Sequence, residues 1–350
     1  MILLLNIFLI IQILSAQADL NTFEESLQSG EPFSITAGIM STRREEGDYY
    51  LYLSEGVKII HGDAVITGDS GFADQNSGRI EVIGNVRIVE RQTVITSKIA
   101  RYWKFDRIAE AIGSAHLVNG NQEIFAHHLS YFRNDRISSA YINVIMRDKE
   151  NNTELKGDTG IYFLQEDYGI IYGSPELYSI KTDDTLVVSG DTMENFADSG
   201  YYVVTDQVEV NRGEMTATGG KMFYYPHLEI IELFGDHPKV ETSTSQLWGD
   251  SIVVWLKNEN VDQLESWNNA GGNLIDSNSV NYISGDRIYL SFDNGKPQFL
   301  EVNGNVVGQY LVQSPSTEDN NEQEQTVEQT GTELQNTEES EDESETDQEP

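Results

Sequence analysis

Cysteine is absent from all 350 residues. That excludes disulfides, iron–sulfur clusters, cysteine-ligated zinc, thiol nucleophiles and a lipid-modified N-terminal cysteine. Basic residues are scarce, with 22 Lys and Arg against 58 Asp and Glu and a formal net charge of -36. Such a chain repels phosphate and has no global electrostatic reason to bind nucleic acid. Proline is rare at 7 while tyrosine is plentiful at 17, a balance that favours ordered, strand-rich structure. The histidines are few (His61, His116, His127, His128, His227 and His237) and form no His-Glu-x-x-His pair. His127 and His128 are adjacent on a predicted strand and point to opposite faces. The sequence nominates no metal site and no cofactor.

Long apolar runs are confined to the first residues. Met1 to Leu14 is nearly all Leu, Ile and Phe, followed by Ser15-Ala16-Gln17-Ala18. Residues 1–18 read as a secretory signal peptide cut after Ala18, with an uncleaved anchor as the alternative. Either way the body is expected outside the cytoplasm. Residues 313–350 read as a disordered acidic tail; from 314 onward they hold 14 Asp and Glu and no Lys or Arg. Between them lies one predicted domain, 19–312, with at most one short helix over Asn21–Ser29.

What fills that domain is a repeat. One arm is an apolar run, a small residue, a few polar residues and an aromatic cluster. It occurs as Ile66-Thr67-Gly68-Asp69 before Phe72 and as Ile95-Thr96-Ser97-Lys98 before Tyr102-Trp103. The small residues fall at 68, 97, 126, 157, 190, 219, 249 and 285, at intervals of 29, 29, 31, 33, 29, 30 and 36. The other arm is a strand, a Gly-Asn-like turn and a second strand, as in Ile83-Gly84-Asn85-Val86 and Asn303-Gly304-Asn305-Val306, with Gly272-Asn273-Leu274 read as one intermediate copy. Each arm alternates apolar and polar residues with period two, the pattern of a half-buried strand. Ile80, Val82, Val86 and Ile88 then share one face, and Arg79, Glu81 and Arg87 the other. Eight copies of two strands predict about sixteen antiparallel strands in an elongated roll, since one copy cannot bury its apolar face alone.

The Gly84-Asn85-Val86 and Gly304-Asn305-Val306 motifs and the arms Val188-Ser189-Gly190-Asp191 and Leu155-Lys156-Gly157-Asp158 resemble the OstA-like, LptA-type lipopolysaccharide-transport bridge proteins. The resemblance runs over about residues 33–310. It implies an all-β fold, an elongated β-jellyroll open at both ends, in a periplasmic protein that is not an enzyme. It implies lipopolysaccharide or a related lipid as cargo, with inner- and outer-membrane transport components as partners. Head-to-tail self-association would use edge strands near Ser34–Ile39 and Glu301–Val307. The expected interior lining is Ile80, Val82, Val86, Ile88, Ile112, Leu117, Val144, Val208, Val210, Leu233, Val240, Val302 and Val306. That lining has two readings, a fully packed core or an acyl-chain trough, because small rolls are usually filled by side chains.

Catalytic patterns dissolve on inspection. Gly68-Asp69-Ser70-Gly71 superficially matches a serine-protease nucleophile segment, but the same slots hold Gly157-Asp158-Thr159-Gly160. The recurring Asp69, Asp158, Asp191, Asp250 and Asp286 read as turn-forming residues. A structural or adhesive repeat protein and a carbohydrate-active solenoid are the rival readings, and no carboxylate pair can be nominated for the latter.

Overall fold

The computed structural model describes residues 33–312 apart from 46–47, 75, 181–184, 258–259, 277–278 and 294. The signal-peptide, short-helix and acidic-tail readings lie outside the described residues. Within them every element is a β-strand, 24 in all.

Six pairs of strands are halves of broken rungs: Ala64–Gly68 with Ser70–Asp74, Tyr168–Tyr172 with Glu176–Ile180, Thr185–Ser189 with Thr192–Phe196, Ile230–Phe234 with Lys239–Glu241, Ser245–Trp248 with Ser251–Lys257, and Lys296–Asn303 with Val307–Val312. The 24 strands therefore make eighteen rungs. Each rung pairs antiparallel with the rungs before and after it, from Phe33–Glu45 against Asp48–His61 to Ser279–Asp293 against Lys296–Val312. The number exceeds the expected sixteen because eight small-residue rungs alternate with nine Gly-Asn-type rungs, and Phe33–Glu45 precedes them all.

The Gly-Asn motifs are not the hairpin turns the sequence predicts. Gly84 and Asn85 lie inside the strand Arg79–Glu90, where the register slips between Ile83 and Val86. There φ is 80° at Gly84 and 45° at Asn85, a left-handed pair that bends the rung. Equivalent pairs include Gly113-Ser114, Asp206-Gln207 and Asn268-Asn269. The last replaces the expected Gly272 corner, because asparagine is among the few non-glycine residues that adopt positive φ readily.

These bends fold the sheet along one corner line into two facing sheets. Sheet I holds Val86–Glu90 against Thr93–Ser97, and sheet II holds Arg79–Ile83 against Ile99–Trp103. The small-residue slot sits on this line because a Cβ there collides with the next rung: at Gly157 it would lie 2.7 Å from the Tyr172 carbonyl oxygen. The neighbouring aspartate ties the corner. The Asp69 N–H donates to the carbonyls of Ile83 and Gly84 at 3.1 and 3.0 Å, and its carboxylate accepts from Asn85 Nδ2 at 2.9 Å. Asp250 with Asn269 and Asp286 with Asn305 repeat the arrangement. The aspartates thus belong to corners within rungs.

Both sheets send alternate side chains into one apolar core. Each fully buried Val, Leu or Ile there contributes about 1.5–3 kcal/mol relative to an exposed one.

Candidate functional site: the interior and its seam

Ten of the thirteen expected lining residues are buried in the core: Ile80, Val82, Val86, Ile88, Leu117, Val144, Val208, Val210, Leu233 and Val240. Val302 is partly buried and packs against them. Two depart from the expectation. Ile112 is half-buried on the outer face, because in Ile108–Asn119 the inward register is Ala109, Ala111, Ala115 and Leu117. Val306 is 57% exposed; it lies in the last rung, which among the described residues pairs on one side only.

Opposite the corner, the hairpin ends of the two sheets meet in a polar seam that the sequence reading did not foresee. Sheet I ends on a row of buried polar residues: His61, Glu90, Asn119, Asp148, Ser179 and Arg212. Sheet II answers with tyrosines that lie at one level across the strands. Following the register, that level runs Ile80, Tyr102, Ala109, Tyr131, Ser138, Tyr162, Gly169, Asn195, Tyr202, Tyr224. The small residues between the first tyrosines make room for the rings.

Each tyrosine reaches across. The Tyr102 hydroxyl is hydrogen-bonded to His61 Nδ1 at 2.5 Å, and Tyr131 donates to Glu90 at 2.5 Å. Asn119 Nδ2 donates to the Tyr162 hydroxyl at 3.4 Å, Tyr202 donates to Asp148 at 3.2 Å, and Tyr224 pairs with Ser179 at 2.8 Å. Arg133 locks the first two contacts. It donates to Glu90 at 2.9 Å, to the Tyr102 hydroxyl at 2.8 Å and to the His61 carbonyl at 3.1 Å. Arg136 adds donations to Tyr131 and Thr93.

The electrostatics follow from burial. Desolvation raises the pKa of all five tyrosines, and for Tyr131 the bond to the Glu90 carboxylate raises it further. Burial works against the charge of Arg133, but Tyr102 and Glu90 outweigh it and its pKa rises. Asp167, beside Tyr162, is raised by burial and by the charges of Asp198 and Asp148, against the lowering effect of its Tyr162 bond.

Past Tyr224 the same level turns aliphatic, as Ile231, Val254, Leu264 and Leu290. A cavity of about 240 Å³ opens there, lined by Arg212, Met215, Thr242, Leu256, Val261 and Phe292 among others.

The two end rungs each pair on one side among the described residues. Phe33–Glu45 exposes Ile39 and Met40, and Lys296–Val312 exposes Phe299, Val307, Tyr310 and Leu311. The edges Ser34–Ile39 and Glu301–Val307 lie in these rungs.

A chain of antiparallel rungs folded along a corner line and apolar inside, with an end rung at each limit that pairs on one side among the described residues, is an all-β jellyroll. Residues 37–183, which span the first ten rungs, match the family described as OstA-like protein. Among solved structures the chain is similar to LptH from Pseudomonas aeruginosa, described as the LptA homologous periplasmic component of the conserved lipopolysaccharide transport device. That similarity is 14% identity over 41% of this chain and 82% of that chain, with a TM-score of 0.21. No curated protein matches the chain.

Proposed function

We propose that this chain is a periplasmic, non-enzymatic carrier that conveys lipopolysaccharide or a related lipid toward the outer membrane. The acyl chains ride in the apolar interior and the sugars stay in water. Copies or transport components of the inner and outer membranes join at the end rungs. The observation that carries the reading is a continuous apolar interior running the length of a roll whose end rungs, among the described residues, each leave one side unpaired. The OstA-like match and the apolar opening of residues 1–14 are in keeping with it.

The experiment is a photo-crosslinker at Ile88 or Val208 in living cells. Lipid adducts at these sites, and none at outward controls such as Arg87 and Glu209, are expected; adducts at neither interior site overturn the reading. The second reading, a structural repeat with a packed interior, has its own support. The interior valines and leucines are almost fully buried, and the tyrosine seam roofs them over. Absence of adducts would favour it.

A further inference from the structure

The seam is closed by hydrogen bonds along its first part and is chemically different along its last. From Tyr102 to Tyr224 every tyrosine at the mouth is bonded across it. In the following rungs Leu256 and Phe292 stand at the mouth with Met215 and Val261, and the cavity opens between them. Met215, Leu256 and Phe292 are buried members of the core, so the inner wall of the cavity is apolar and is best met by another apolar group. One charged member of the polar row sits at this boundary. Arg212 is 5% exposed and lines the cavity, close enough to the Tyr224 hydroxyl for its charge to favour the phenolate. Thr242, Ser243 and Asn260 form a polar lip, and Glu214 is the acidic group lining the same cavity. Apolar walls under a polar lip with a buried guanidinium match an amphiphile that carries a carboxylate or phosphate head.

We propose that this opening is a lateral port for a single-chain anionic amphiphile. The chain lies against Met215, Leu256, Val261 and Phe292, and the acidic head meets Arg212. The port rests on reading the interior as a lipid compartment, yet it is a side entrance, distinct from transfer through the ends of the roll.

The test uses the full chain and 11-(dansylamino)undecanoic acid, whose fluorescence rises on leaving water. Because the chain has no cysteine, Val261→Cys gives a single thiol that N-cyclohexylmaleimide can cap after folding. Capping is expected to weaken probe binding at least about tenfold, with the uncapped variant within about twofold of the parent. Both measurements use one folded preparation, so misfolding cannot mimic the result. Arg212→Met is expected to weaken the acid by about tenfold and leave its methyl ester unchanged. Equal binding before and after capping, or equal loss of acid and ester, overturns the port. Displacement by lauric acid alone assigns carboxylates, displacement by dodecyl phosphate alone assigns phosphates, and displacement by neither overturns the port. Lipid adducts at Ile88 without probe binding would sink the port alone; probe binding without adducts would sink the carrier reading alone.

Discussion

Tyr131 donates its hydroxyl to Glu90 at 2.5 Å, joining a hairpin end of one sheet to a rung end of the other 41 residues earlier. Glu90 also receives Arg133, whose guanidinium is almost wholly buried. Replacing Arg133 with Met leaves that carboxylate buried with the Tyr131 hydroxyl and, as its cation, the more distant Arg136 at 3.7 Å. The expected loss is about 3–5 kcal/mol of unfolding free energy, and Glu90→Gln combined with Arg133→Met should lose clearly less than the sum of the single changes. Urea titrations of the three variants measure this.

Alkaline stability tests the ladder as a whole. The five seam tyrosines have folded pKa values above the ordinary 10.0. Their contribution is complete below pH 10 and is lost as pH rises, because the unfolded chain releases phenolic protons that the folded chain keeps. Each such tyrosine adds about 1.4 kcal/mol per pH unit to the slope between the two pKa values. Absorbance at 295 nm should show a group of tyrosines that ionise only as the protein unfolds, and Tyr131→Phe should shrink that group. Full ionisation with the fold intact would refute the arrangement.

The corner line predicts a sharp difference between glycines. Gly157→Ala places a methyl 2.7 Å from the Tyr172 carbonyl oxygen and 2.9 Å from Ile171, so it should cost about 1–3 kcal/mol. Gly308 has open space around its Cβ position, and Gly308→Ala should lie within about 0.5 kcal/mol of the parent. Thermal melts of the two variants decide it.

If copies join end to end, charges on the end rungs should separate them. Ile39 and Leu311 are 50% and 65% exposed. Ile39→Lys and Leu311→Lys should each abolish concentration-dependent association in sedimentation velocity, at little cost to the melting temperature. Association that survives both changes would place the contact elsewhere.

The strand pattern was legible because alternation is strict: Ile80, Val82, Val86 and Ile88 were placed on one face by period two alone, and all four are buried. The corners were misread as hairpin turns because Gly-Asn serves both; only the pairing of Val86 with Ser97 after Ile83 with Ile99 distinguishes them. Hydrophobicity alone does not place Ile112, because the register of Ala109 and Ala111 settles the face and leaves it outward. The seam was hidden inside the aromatic clusters. Tyr102-Trp103, Tyr131-Phe132 and Tyr162-Phe163 looked like single features, yet in each the tyrosine turns inward and its neighbour outward. The spacing of His61, Glu90, Asn119 and Asp148, a constant 29 residues, was the signal that could have revealed their shared position.

Sheet bonds in this roll connect only successive rungs, and a stack built on those alone would fray one rung at a time. The seam contacts reach further: Tyr102, Tyr131, Tyr162 and Tyr224 bond residues three rungs back, and Tyr202 four. Opening any rung beneath the ladder therefore breaks bonds in several others. The stretch bonded from Tyr102 to Tyr224 behaves as a single cooperative block, opening as a unit and not rung by rung.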